Sequence, residues 1–280
     1  MNESTTSPPL EAKSEFELRV DLAADVSAEV IREALATGDL GFLHSFTTGS
    51  AVDGPGVRLV AWTAACMFNC RFCHNPDTWT LANGMPVSVE RATDEIRKYA
   101  HGLKVMKGGL TLSGGEPLVQ HRFAARLFRA AKALDVHTAI ETNGFNGGKL
   151  SDAELQDIDL VILDMKGFTP AQHARVTRIE DNTPVLDFAR RLSELKRPMW
   201  LRYVLVPGLT DVASEMEKIA EFAVGLGVVE RAEVLPFHQM GRYKWKKLGL
   251  DYTVSATEAP SALAVAAAID IFKRSGLDAM

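Results

Sequence analysis

The sequence predicts an α/β fold, an incomplete (β/α)6 TIM-like barrel with its active site at the C-terminal edge of the parallel strands. Three observations carry that prediction. From residue 41 onward, short apolar runs alternate with amphipathic helical patterns, the sequence form of repeated β-α units around a parallel sheet. Six such runs can be read rather than eight, so the barrel is not expected to close. Each polar motif of interest lies just after one of those runs, where a barrel collects its functional loops.

Residues 1–40 read as an accessory N-terminal extension and residues 41–280 as the barrel domain. The tract up to about residue 18 is rich in Ser, Thr, Pro and Glu and is expected to be disordered, because it offers little apolar surface to offset ordering entropy. Residues 27–38 put Val30, Ile31, Ala34 and Leu35 on one face, with Ser27 as N-cap and Gly38 as a stop, and predict a short helix. The six strands are expected at 57–63, 109–112, 136–141, 160–165, 199–206 and 232–235. Between them, residues 120–134 carry Phe123, Leu127, Phe128, Ala131 and Leu134 along one helical stripe. Asp211 is expected to cap a helix bearing Met216, Ile219, Ala220 and Ala223, and a last helix should occupy 260–275 before Gly276. No solenoid-type internal repeat is visible.

Composition excludes several classes. With 280 residues, 46% apolar and 24% charged, the chain is an ordinary globular one, long enough for one large α/β domain. Its start lacks a basic segment followed by an apolar one, and the apolar stretch 263–272 is short and broken by Asp270, so neither a signal peptide nor a membrane span is expected. A cytoplasmic location follows as the expectation. A net charge of -5 gives no electrostatic basis for general nucleic-acid binding, and the cluster Lys244-Trp245-Lys246-Lys247 reads as a solvated loop.

All three cysteines, Cys66, Cys70 and Cys73, fall in one eight-residue stretch with the spacing CxxxCxxC. Three thiolates can hold three corners of a 4Fe-4S cube and leave one iron open to a ligand that is not protein. A Cys3His zinc site using His74 is the plainer alternative, but zinc modules use separated ligand pairs and His74 adjoins Cys73 too closely for easy convergence. A disulfide framework is weaker still, given an odd number of crowded cysteines and no secretion signal. The spacing, followed at once by His74, resembles the radical S-adenosylmethionine superfamily, which implies that S-adenosylmethionine occupies the open iron.

Further polar groups follow the later strands. Ser113-Gly114-Gly115-Glu116-Pro117 joins two glycines that would let backbone approach a ligand closely. Glu141 ends the third strand, and Asp164, Met165 and Lys166 end the fourth. Charges at a buried strand end must pair with one another, a metal or a ligand. An internal salt-bridge network is the structural alternative to a cofactor here. Arg202 lies on the fifth strand, and His238 follows the sixth.

At a finer level the segments 52–58, 73–79, 142–145, 202–208 and 235–241 resemble the pyruvate formate-lyase activating enzymes, over a stretch from about His44 to Tyr252. The resemblance implies that Cys66, Cys70 and Cys73 ligate the cluster. It implies further that Phe72 packs by the adenine and that His74 lies between cofactor and substrate. Gly114, Gly115 and Glu116 would frame the methionine end, while Asp164, Met165, Lys166, Arg202 and His238 would contact the nucleoside or sulfonium side. Asp53 and His74 would meet the glycine-bearing peptide. Acidic groups at Glu141 and Asp164 would hold a monovalent cation, although the family commonly has Asp where this chain has Glu141. Ala64-Ala65 replaces a usual Gln-Gly pair, so the cysteine loop is expected to start without a positive φ.

The function implied is installation of a glycyl radical on a partner enzyme, pyruvate formate-lyase, with flavodoxin or ferredoxin as electron donor. Activation of another glycyl radical enzyme (a dehydratase, a decarboxylase or an anaerobic ribonucleotide reductase) is the alternative within the superfamily. The first two groups often carry extra cysteines that this chain lacks. A zinc-stabilised interaction protein without catalysis is the alternative outside it.

Overall fold

The computed structural model describes residues 28–280; the tract expected to be disordered and the Ser27 cap lie outside them. The chain runs α1 (Ala28–Thr37), β1 (Leu40–Ser50), β2 (Arg58–Thr63), β3 (Met85–Ser88), α2 (Val89–Val105), β4 (Gly109–Gly114), α3 (His121–Ala133), β5 (His137–Thr142), α4 (Asp152–Leu155), β6 (Leu160–Asp164), α5 (Pro170–Thr177), α6 (Thr183–Glu194), β7 (Met199–Leu205), α7 (Ala213–Leu226), β8 (Val229–Pro236), α8 (Arg242–Lys247) and α9 (Ala262–Arg274). The six expected parallel strands are β2, β4, β5, β6, β7 and β8, hydrogen-bonded in that order.

Two further strands were not foreseen. β1 pairs antiparallel with both β2 and β3, so the described sheet has eight strands in the order β3-β1-β2-β4-β5-β6-β7-β8. It does not close, because β3 and β8 remain at opposite edges. α1 ends at Gly38, whose φ is +81°, and its last carbonyls accept from α3: Ala36 from Arg122 and Thr37 from Arg126 at 2.8 Å.

The strand period of two sorts residues onto two faces. Leu110, Leu112, Ile140, Val161, Leu163 and Leu201 point outward into one large core shared with the helices. α3 contributes Phe123, Leu127, Phe128 and Ala131 to it, and α7 contributes Met216, Ile219, Ala220 and Ala223, the stripes read from the sequence. The expected Asp211 cap does not form. α7 begins at Ala213 with Val212 in the cap position and no side-chain cap. Its first-turn carboxylate, Glu215, instead accepts from the backbone of Phe168 and Thr169 across the sheet edge. The last helix keeps its place, with Ser261 accepting from Ala264 as N-cap.

On the inner face, Ala139, Ile162 and Trp200 fill the middle, and one pleat further toward the C-terminal edge stand Glu141, Asp164 and Arg202. Register then brings Asp164 beside Arg202 and Arg202 beside Glu233. Among the described residues no helix is long and apolar enough to cross a membrane.

Candidate functional site

The inner face opens at the strand C-termini into a cleft of about 270 Å³ lined by Cys66, Cys70 and Cys73 on one side and by Ser113, Glu141, Asp164, Lys166 and Arg202 on the other. The cysteine loop is pinned from both flanks. Ala65 N–H donates to the Thr78 carbonyl at 2.7 Å, Cys66 N–H to Trp79 at 3.2 Å, and Arg71 N–H to Val176 at 3.0 Å. Contrary to expectation, Ala65 takes φ +75° even though it is not glycine. Its carbonyl is held by Glu116 N–H at 2.8 Å, and these two bonds fix the reversal that an alanine would otherwise resist at a cost of roughly 1–2 kcal/mol.

All three thiols are free. Burial pushes all three pKa values up, Cys70 to about 12; neighbouring thiols add to this at Cys66 and Cys70, while Lys166 pulls Cys70 and Cys73 the other way. Thiolates here therefore need a positive centre larger than one lysine. Among the described residues no three His, Cys, Asp or Glu side chains converge tightly enough to hold one metal ion. Three thiols spread around one cleft are the donor set a multi-iron cluster requires.

His74 lines the cleft with its ring edge-on to His238, centroids 4.8 Å apart. Burial, His238 and Lys244 lower its pKa, favouring the neutral imidazole. Phe72 is buried under the Lys166 ammonium, which lies 5.1 Å from the ring centroid. Lys166 also pairs with Asp164. Burial opposes its charge, but Asp164 and the thiols outweigh this and raise its pKa. The second oxygen of Asp164 is buried with no hydrogen-bond partner, an acceptor left over for a ligand. Asp53 closes the floor, bonded by Ser50, and burial raises its pKa.

Arg202 is the centre of the charge network. Its guanidinium donates to Glu141 at 2.5 Å, to Glu233 at 2.8 and 3.0 Å, and to the Val52 carbonyl at 2.7 Å. Burial alone would raise Glu141, but Arg202 and the Ser113 hydroxyl at 2.6 Å leave it lowered. Glu233 escaped sequence reasoning because its role comes from strand register. A carboxylate inside a strand next to an arginine strand is the only signal it gives.

Two expected contacts do not face the cleft. Glu116 is fully buried and turns away, accepting from Leu118 N–H, Thr142 hydroxyl and Asn143 N–H at 2.7–2.9 Å. It braces the β5 loop, leaving Gly114 and Gly115 at the cleft wall. Met165 follows Asp164 and so points to the opposite face, into the core. Chain packing also requires both glycines, since an added Cβ would sit 2.3 Å from Thr63 N at Gly114 and 2.3 Å from the Ala65 carbonyl oxygen at Gly115. Asn143 was quoted only within a motif, yet its amide reaches the Met67 sulfur at 3.5 Å and Cys66 Sγ at 3.9 Å.

An open parallel barrel with three thiols and an acid-rich wall at its C-terminal edge defines the radical SAM class, and the family model described as Radical SAM superfamily matches residues 60–223. A pyruvate formate-lyase-activating enzyme of Listeria monocytogenes is 39% identical over 244 residues, spanning 84% of this chain and 97% of that protein. One of Staphylococcus aureus is 41% identical over 235 residues, or 81% and 93% of the two chains. The chain belongs to the pyruvate formate-lyase-activating enzyme family. Among solved structures, a radical SAM methyltransferase from Sphaerobacter thermophilus shares the fold at 13% identity, with TM-score 0.59 over 91% of this chain and 81% of that one. A domain of pyruvate-formate lyase-activating enzyme from Bacteroides vulgatus matches at 23% identity, with TM-score 0.52 over 62% and 98%.

Proposed function

We propose that this chain activates pyruvate formate-lyase by placing a radical on one glycine of that enzyme. The observation that carries the reading is the set of three free thiols from one pinned loop, opening into a single cleft beside Asp164 and Lys166. Cys66, Cys70 and Cys73 would hold a 4Fe-4S cluster, with S-adenosylmethionine in the remaining space. When bound, that pair supplies reductive cleavage to a 5′-deoxyadenosyl radical able to abstract a glycine Cα hydrogen.

The protein's part is to bind, orient and exclude water. Phe72 and His238 would pack the nucleoside, Gly114 and Gly115 the methionine end, and the unpartnered Asp164 oxygen would accept from a cationic or hydroxyl group. Carboxylates outnumber cations in the cleft lining, where Asp53, Glu141 and Asp164 stand with Lys166 and Arg202. That excess suits a sulfonium ligand. We assign Asp53 and His74 to the incoming peptide. A monovalent cation is poorly supported, because both Glu141 oxygens are engaged by Arg202 and Ser113. The electron donor is a flavodoxin or ferredoxin. Free thiols and a net charge of -5 support a cytoplasmic location without nucleic-acid or membrane partners. Residues 41–280 carry the activity and residues 1–40 are accessory.

Anaerobic reconstitution tests this. The protein should take up about four irons and four sulfides, release 5′-deoxyadenosine and raise a glycyl radical signal on pyruvate formate-lyase. Cys66→Ala, Cys70→Ala or Cys73→Ala should each abolish all three. A normal cluster in any one of these variants would refute the assignment. Asp53→Ala should weaken the glycyl radical signal more than cofactor cleavage, and equal losses would remove its peptide role.

A further inference from the structure

The basic run 244–247 reads as a solvated loop in sequence, but it lies in α8, tied directly to the cysteine loop. Trp245 is buried, and its indole N–H donates to the Cys73 carbonyl at 2.8 Å. Its ring stacks on Tyr252 at 4.8 Å and meets Trp79 edge-on at 5.1 Å. Lys244 turns inward to Asp77 at 3.0 Å and to Asn75. Arg242, Lys246 and Lys247 are exposed and have no carboxylate partner among the described residues. Around them Tyr243, Met240 and Leu248 are 65%, 64% and 41% exposed.

Several cation clusters elsewhere on the surface are matched by acids. On α3 the cations Arg126, Arg129 and Lys132 each pair with an aspartate, as do Arg190 and Arg191 on α6. Between positions 240 and 257 the one acidic residue is Asp251. A chain of net charge -5 thus keeps an uncompensated cationic and partly apolar patch one hydrogen bond from a cysteine of the site.

We propose that α8 and the residues flanking it, 240–250, form the docking face for an acidic one-electron carrier protein, with Trp245 joining that face to the Cys73 backbone. The inference rests on the function proposed above, which needs one electron from outside per turnover. The carrier loses one electron, the site held by the three thiolates gains it, and no group or proton moves. Tunnelling through covalent and hydrogen bonds decays less steeply than across a gap, so a carrier seated here uses the Trp245–Cys73 contact. Opposite charge steers the encounter and makes it salt-sensitive.

The test uses the iron-loaded full chain and flavodoxin as probe. Lys246→Glu/Lys247→Glu should weaken flavodoxin binding roughly tenfold at low salt, measured by calorimetry, and high salt should erase the difference. The variant should lose 5′-deoxyadenosine release driven by reduced flavodoxin while keeping release driven by dithionite. Unchanged affinity, or equal loss with both reductants, would overturn the docking face. Loss confined to glycyl radical transfer would assign the patch to the partner enzyme instead. Failure of dithionite-driven cleavage in the unmodified protein would sink the proposed function, while the binding measurement would still decide the docking face.

Discussion

Arg58 and Arg202 both lie on the inner face of one sheet, almost wholly buried, and their surroundings solve the problem of a buried cation in different ways. At the closed end, Arg58 donates to the Thr111 hydroxyl at 2.9 Å and to the Leu110 and Pro55 carbonyls at 2.5 and 3.3 Å, beside His137 at 3.2 Å. No carboxylate among the described residues touches it, and burial lowers its pKa to about 10. At the open end Arg202 bridges two carboxylates; burial opposes its charge, but Glu141 and Glu233 raise its pKa. The difference separates scaffold from site. Arg58 is solvated by fixed backbone and locks the 51–57 loop, whose Asp53 carbonyl accepts from the Thr111 hydroxyl at 2.7 Å. Arg202 balances charges that a ligand can redistribute.

The largest expected effect comes from Arg202→Met. It leaves Glu141 and Glu233 without their cation, and breaking a buried pair in this way costs about 3–5 kcal/mol. Urea unfolding of the metal-free protein should show this loss at pH 8 and a partial recovery at pH 5, where the facing carboxylates take up protons. Equal losses at both pH values would put Arg202 in the same class as Arg58.

Arg58→Met should cost somewhat less, about 2–3 kcal/mol, because it strands neutral acceptors only. In a His137→Gln background, which removes the ring that burial and Arg58 hold below its ordinary pKa, this loss should not change between pH 5 and pH 8, and a pH-dependent loss there would mean that Asp159 or Asp53 partners Arg58 after all.

Glu116 extends the comparison to an acid satisfied by neutral donors. Burial raises its pKa to about 7 from the ordinary 4.5, against the bonds from Thr142, Leu118 and Asn143. A raised carboxyl binds its proton more readily in the folded chain, so its contribution is complete below pH 4.5 and disappears as pH rises through about 7. Stability should therefore fall by about 1–3 kcal/mol across that window, and Glu116→Gln should flatten the slope. An unchanged slope would assign it to other groups.

The smallest effect belongs to an exposed pair. Arg274→Ala removes a bond to Asp270 at 2.8 Å between side chains 70% and 60% exposed. It should change stability by about 0.5 kcal/mol or less, and a larger change would mean that burial is not what separates these charges.

The parallel strands were legible because strands covered on both faces read as apolar runs. β1 and β3 were not. β1 mixes Gly, His, Ser and Thr into an edge ribbon, and β3 is four residues long with Pro86 inside it. α2 also escaped, since it buries only Ala92, Glu95, Ile96 and Leu103 along 17 residues. At the site, spacing pointed to the cysteines and strand ends pointed to Glu141, Asp164 and Arg202. Direction was harder to read: Glu116 and Met165 turn away because a single residue of strand phase or a backbone bond decides the face.

The reversed backbone at Ala65 has a consequence in time. Ala65 and Cys66 donate to Thr78 and Trp79, and the Ala65 carbonyl is held by Glu116, so this corner is clamped by contacts that involve no metal. The Ala65 methyl group disfavours a positive φ, so those bonds and not the residue's own preference hold the corner. In deuterated water the amides of Ala65 and Cys66 should exchange at similar slow rates before and after cluster assembly. The loop would then meet incoming iron already shaped at its first cysteine.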